Sequence, residues 1–236
     1  MTSLEIKQGP RVLQTQVVRQ REQAAVRRKR WFYLALFGVA LVAPLAVYPV
    51  FLMKLLCFAL FACAFNLLLG YAGLLSFGHA AFFATGGYIT GYLLSEYSGL
   101  GTELGILAGT LASTLLGLGF GLLAIRRQGI YFAMITLALA QLVFFIYMQA
   151  PFTGGEDGLH GVPRGQLFGL FDLNNNLTLY YFVLAVFVLG FAIIQRTIHS
   201  PYGQVLKAIR ENEPRAISLG YNVDAHKLLA FVISAA

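Results

Sequence analysis

Charge is what this chain has least of. Asp, Glu, Lys and Arg make up 11% of its 236 residues against 58% hydrophobic ones, and its mean hydropathy is +0.71. Soluble domains carry about 25% charged residues, and no interior of this size could hold the apolar excess, so a water-soluble globule and a disordered chain are both excluded. The solvent is lipid. Cysteine is nearly missing too: Cys57 and Cys63, six apart in one apolar run, make no disulfide scaffold and read as core residues. No Gly-Lys pair occurs, so the phosphate loop G-x-x-x-x-G-K-[ST] is lacking and any ATP must be hydrolysed on another subunit.

The apolar runs also lack Asp, Glu, Lys and Arg at mid-helix depth, leaving His79 as the one titratable group there besides Tyr and Cys. Ion-coupled carriers and voltage sensors keep charges at that depth, so this absence counts against them. A single His with no Cys, Asp or Glu nearby makes no metal site. His160, near Glu156 and Asp157 in a Gly-rich loop, has no second His or Cys and reads as solvated. No catalytic constellation is present, and an enzyme is not expected.

What is present is length. Uncharged runs cover Trp31 to Met53 (23 residues), Leu55 to Ser95 (41) and Leu104 to Ile125 (22). A spanning helix needs about 20 residues, so the second run holds two helices, with the break at Gly70-Tyr71-Ala72-Gly73. Two more helices are expected from about Gly129 to Gln149 and from about Thr178 to Gln195, and a further one starts near Lys227 with only Leu228 to Ala236 following. The expected fold is all-α: a polytopic transmembrane helix bundle with six complete spans and a truncated seventh. Residues 1–30 form a basic cytoplasmic segment and 31–236 one transmembrane domain.

Basic residues near span ends mark the cytoplasmic side. With the N-terminus inside, 14 of 17 fall there: Lys7, Arg11, Arg19, Arg21, Arg27, Arg28, Lys29, Arg30, Arg126, Arg127, Arg196, Lys207, Arg210 and Arg215. Lys54 and Arg164 fall outside with Glu96, Glu103, Glu156, Asp157 and Asp172, and Lys227 lies at a span edge. The first span is too long for a signal peptide and no small-residue cleavage pattern follows it. The basic tail reads as a solvated or lipid-surface segment; nucleic acid is not an expected partner, because orientation alone accounts for the net charge of +7.

Helices in lipid associate through small residues that let backbones approach. Gly105, Gly109, Ser113, Gly117 and Gly121 recur every four residues, with Gly86, Gly87, Thr90 and Gly91 on the preceding span. They pack helices or line a pathway. The polar groups within the spans are neutral: Asn66, Ser76, Thr85, Thr90, Thr136 and Gln141. They suit a neutral or zwitterionic solute, or, for Asn66 and Gln141, helix-to-helix hydrogen bonds. His79 caps a helix start, bonds a neighbour or serves the pathway.

Four ordered segments carry a resemblance. They are Asn66-Leu-Leu-Leu-Gly-Tyr-Ala-Gly-Leu-Leu-Ser-Phe-Gly-His-Ala-Ala-Phe-Phe-Ala84 with Gly86-Gly87-Tyr88; Gln128-Gly-Ile-Tyr-Phe-Ala-Met-Ile-Thr-Leu-Ala-Leu-Ala-Gln141; Thr153-Gly-Gly-Glu-Asp-Gly-Leu159; and Ser200-Pro-Tyr-Gly-Gln-Val-Leu-Lys-Ala-Ile-Arg-Glu-Asn-Glu213. From about Phe51 onward the chain resembles bacterial ABC-importer permeases of the branched-chain amino acid family, most of all the M-type subunits of leucine/isoleucine/valine systems. Glu211, Ala216 and Gly220 match the family's coupling pattern E-x4-A-x3-G, in a loop at 196–226 that the charge rule also puts inside.

The resemblance implies a permease of the bacterial inner membrane that translocates branched-chain or other neutral amino acids. Asn66, Gly70, Gly73, Ser76, His79, Thr136 and Gln141 would serve the pathway, and Arg210, Glu211, Ala216 and Gly220 would couple to an ATPase. It implies a second homologous permease, two ATPase subunits that hold ATP and Mg, and an external solute-binding protein, with no cofactor in this chain. Urea or short-chain amides are alternative solutes, and a self-sufficient channel or secondary carrier is the alternative class. Pro214 should open a short helix, with Asn212 or Glu213 just before it.

Overall fold

The computed structural model describes residues 31, 33, 35–97, 101–155, 157–163, 165–167 and 171–236. The basic tail 1–30, Glu156 and Arg164 lie outside the described residues. The chain divides into two units, Met1–Tyr48 and Pro49–Ala236. The first holds the apolar helix α1 (Ala35–Ala46), which ends at a bend on Val47. One helix over 31–53 was expected, and the break comes earlier. Pro49 has no N–H to give and disfavours helical backbone at Tyr48, so the next helix starts on it, and an apolar run conceals the joint.

In the second unit α2 (Pro49–Asn66) runs on through one π turn, Leu67–Ala72. Gly73 ends that turn with φ at 71°, where a side chain would be strained, and Leu74 N–H donates back to Leu68 O at 3.2 Å. The expected break at Gly70–Gly73 therefore begins at Gly73 and lasts to Gly78. Helices α3 (His79–Glu96), α4 (Thr102–Ala124) and α5 (Ile130–Gln149) follow, then a 3-10 turn, Pro151–Thr153. A two-residue antiparallel ladder, β1 (Gln166–Leu167) with β2 (Phe171–Asp172), precedes α6 (Asn176–His199), α7 (Pro201–Glu211), α8 (Glu213–Ser218) and α9 (Val223–Ala235).

The structure is helical, and four stretches are long and apolar enough to cross a membrane: Pro49–Ala72, Thr102–Ala124, Ile130–Gln149 and Asn176–His199. Helix α3, 18 residues, is diluted by the His79, Gly, Thr and Tyr residues it turns toward its neighbours, and α9 has 13 residues.

The small-residue row on α4 is buried along its whole length and serves two partners in turn. Its first half lies on α3. A Cβ on Gly109 would come within 2.6 Å of Gly86 O, one on Gly105 within 3.2 Å of Leu94, and Ser113 Oγ donates to Phe82 O at 2.9 Å. The second half lies on α9, where a Cβ on Gly117 would collide with Ala235 and one on Gly121 would meet Leu228 at 2.5 Å. Behind the row Phe82, Phe120, Phe132 and Phe231 meet edge to face at ring separations of 5.2–5.9 Å. Gly190 on α6 receives Leu60 of α2, beside a cluster of Leu67, Ile194 and Ile198.

Two ends of this unit differ in chemistry. At one, Gln128 after α4 bonds Glu213 of α8 at 2.8 Å, and Arg210 of α7 donates to Gly70 O at the close of α2. At the other, Gly91 of α3 abuts Leu159 and Val162, and Gly165 abuts Thr102. The first end gathers Arg126, Arg127, Arg196, Lys207, Arg210, Arg215 and Lys227 against Glu211, Glu213 and Asp224; the second has Glu96, Glu103 and Asp157.

Candidate functional site

The stretch Gly73–Gly78 is stitched down rather than open. Phe77 N–H donates to Thr136 Oγ1 at 3.2 Å, Thr136 donates to Ala133 O at 2.9 Å, and Ser76 Oγ accepts from Gly78 N–H at 3.2 Å. Ser76 and Thr136 are both buried, so the structure brings these two expected pathway residues together and uses their hydroxyls to satisfy non-helical backbone at membrane depth. Thr85 donates to Ala81 O and accepts from Tyr147, and Thr90 donates to Gly105 O. Asn66 and Gln141 are the exceptions. Both are exposed; Asn66 folds over Gly70, where an added Cβ would meet its Oδ1 at 2.7 Å.

His79 stands away from that pair, walled by Phe61, Phe65, Phe82 and Phe231 at 5.4–6.4 Å between rings. Ser234 of α9 donates to Ala64 O at 2.6 Å, so its oxygen is left to accept from His79 Nε2–H at 2.7 Å. The imidazole thereby ties α3 to α9 and, through Ser234, to α2. Of the sequence alternatives for His79, bonding a neighbour is the one the geometry contains.

Two of the expected coupling residues, Arg210 and Glu211, meet two of the expected pathway residues, Asn66 and Gly70, in one cleft. Asn66, Gly70 and Tyr71 line one wall and Lys207, Arg210 and Glu211 of α7 the other, around about 550 Å³. The Arg210 stem rests on Gly73, where a Cβ would come within 2.9 Å, and the Lys207 ammonium lies 5.3 Å from the Tyr71 ring centre. Both cations are thus turned to the end of α2, a site that helix carbonyls make favourable for positive charge. Glu211 is exposed and makes no ion pair among the described residues, so a local pair with Arg215 is absent.

Helix α8 begins as the sequence predicts, on the cap Asn212, which accepts from Arg215 N–H at 3.0 Å, with Pro214 in its first turn. Of the residues expected to couple to an ATPase, Ala216 and Gly220 do not share one exposed face. Ala216 is buried against Ile209 and Val223, because α8 lies on α7 and α9 and only a methyl fits there. Gly220, φ 87°, closes α8: its N–H bonds Ile217 O at 2.9 Å and Tyr221 N–H bonds Ala216 O at 3.2 Å. Ile217, Leu219 and Tyr221 face out instead, 59%, 67% and 42% exposed.

Sequence reading missed a polar hub at this end. Lys227 Nζ pairs with Glu213 Oε2 at 2.7 Å, Glu213 Oε1 accepts from Gln128, and the Lys227 side chain is 5% exposed. A lysine at the edge of an apolar run, 14 residues from a Glu, was the available signal. Beside the hub Tyr202 donates to His226 O at 2.8 Å, and burial pushes its phenol up from the usual value, keeping it a donor.

Four helices long and apolar enough to span, with their small residues turned inward, define the class as a multi-pass membrane protein. Residues 50–236 match the family described as branched-chain amino acid transport system / permease component, and the chain belongs to that family. It is 32% identical over 194 residues to the high-affinity branched-chain amino acid transport system permease protein LivM of Salmonella typhimurium, and equally to the protein of that name from Escherichia coli. Each alignment covers 72% of this chain and 45% of the relative, so the chain spans about half the length of the curated relatives it matches. No solved structure matches it.

Proposed function

We propose that this chain is the permease part of an ATP-driven importer that carries leucine, isoleucine, valine or similar neutral amino acids across a bacterial inner membrane. The observation that carries the reading is α8: a short capped helix, held at the basic end of the bundle, with Ile217, Leu219 and Tyr221 turned outward. Exposed apolar groups beside a basic membrane edge call for a protein partner. An ATPase is the partner proposed, with ATP and Mg held there and with Glu211 and the turn at Gly220 contributing to the contact. The gathering of basic residues at one end supports an inward-facing basic end and a cytoplasmic N-terminus. Helices α1 and α3 then complete six spans and α9 starts a seventh.

Ser76, Thr85, Thr90 and Thr136 are spent on internal bonds, which leaves Asn66 and Gln141 for a solute. Gln141, exposed midway along α5, supports a route between this chain and a second permease, fed by an external binding protein. The test is ATP-dependent uptake of labelled leucine by vesicles holding the assembled transporter, with Tyr221→Glu as the variant. Tyr221→Glu should cut uptake at least roughly tenfold, a loss within the range for interface residues. Uptake without ATP would favour a carrier, and competition by urea or acetamide rather than leucine would move the substrate class.

A further inference from the structure

Lys227 has more riding on it than the hold on one loop. Its ammonium is buried in the inward-facing region of α9, and a buried charge is costly unless paired. Its partner, Glu213, is the first residue of α8, and that carboxylate is shared with Gln128 on the α4–α5 turn. The base of α8 is therefore clamped at one point while its far half faces outward. Continuing from Lys227, Phe231 and Ser234 lie four and seven positions on, along the same helix face. Phe231 contacts the rings of Phe82, Phe132 and His79, and Ser234 bonds both Ala64 O and His79 Nε2. The stitched backbone Ser76–Gly78 immediately precedes His79. One rigid helix thus joins the outward-facing α8 to the start of α3 and the end of α2.

We infer that the Glu213–Lys227 pair is a positioning element that makes α9 a transmission rod, carrying displacement of α8 to the Ser76–His79 segment. The inference rests on the importer reading above. An apolar pair would hold two helices equally well; what an ion pair adds is a fixed register, so that α8 cannot shift without moving α9. Packed elements move in this way as units with discrete arrangements.

The test uses the complete transporter in vesicles, with its ATPase and binding-protein subunits, and reads leucine moved per ATP hydrolysed in assembled complexes. Lys227→Met should keep ATP hydrolysis and lower that ratio at least roughly tenfold, a mid-range coupling effect. Lys227→Arg, which keeps the charge, should hold the ratio within about twofold of the unaltered complex, a small part of that range. If Lys227→Met does not assemble, Glu213→Gln, whose amide keeps the bond with Gln128, supplies the same measurement. An unchanged ratio in the assembled Met or Gln variant, or equal loss in the Arg and Met variants, overturns the inference and leaves the importer reading standing. An unaltered complex that shows no ATP-driven uptake overturns the importer reading itself.

Discussion

The α3–α4 contact and the α7–α8–α9 end are built from opposite materials. Between α3 and α4 glycines admit the close approaches, of Gly86 backbone and Thr90 to Gly109 and of Leu94 to Gly105, and the bonds are neutral, hydroxyl to carbonyl: Thr90 to Gly105 O at 3.1 Å and Ser113 to Phe82 O at 2.9 Å. At the other end every helix starts on a side-chain cap, Ser200, Asn212 and Asn222, and a partly buried ion pair ties two of them. The difference follows from the surroundings. In hydrocarbon an apolar face gains nothing by leaving lipid, so fit and neutral bonds select the partner. Beside the bilayer water competes for every helix end, and caps and paired charges decide where a helix starts.

The comparison breaks most sharply at the ion pair. Lys227→Met leaves Glu213 without its cation and should cost about 3–5 kcal/mol, seen as a large fall in the thermal midpoint of the purified chain in detergent. Next is the membrane contact: Gly109→Leu drives a branched side chain into Gly86 O and should cost about 1–3 kcal/mol, with separation of α3 from α4 visible as lost cysteine cross-linking between positions 94 and 105, which also face each other across that contact. Smallest is the cap. Asn212→Ala removes one acceptor from the start of α8 and should cost about 1 kcal/mol, read as faster amide exchange at Arg215 with the spans unaffected. Equal losses from all three would mean that the two regions are not held by different forces.

How far each region was legible follows from the same physics. The α4 row showed in the sequence because helix packing imposes a period of about four, and small residues are conspicuous among Leu and Phe. Asn212 and Pro214 were legible because capping is local. The helix end at Val47–Tyr48 was not, since hydropathy does not register where one apolar helix stops and the next begins. Nor did the π turn show, because Leu67–Ala72 differs from helix in one backbone register and not in composition. The burial of Ala216 was not legible because a small residue serves an outer contact and an inner one alike; its neighbours Ile209 and Val223 come from other helices. Ser234 with His79 and Arg210 with Gly70 are 155 and 140 residues apart, beyond any spacing rule.

Along α4 bulk and smallness have exchanged places. Leu104, Leu107, Leu111, Leu115, Leu118 and Leu122 form an exposed ridge, while the glycines and Ser113 lie within. The consequence belongs to protein engineering: the part of the sequence that selects the solvent is separable from the part that selects the neighbours. Replacing the ridge by Glu, Lys and Gln, which are good helix formers, changes the medium that α4 tolerates while the contacts with α3 and α9 keep every atom. A helix of this kind can be re-surfaced for water one leucine at a time, whereas a soluble helix, whose large residues face its own core, offers no such freedom.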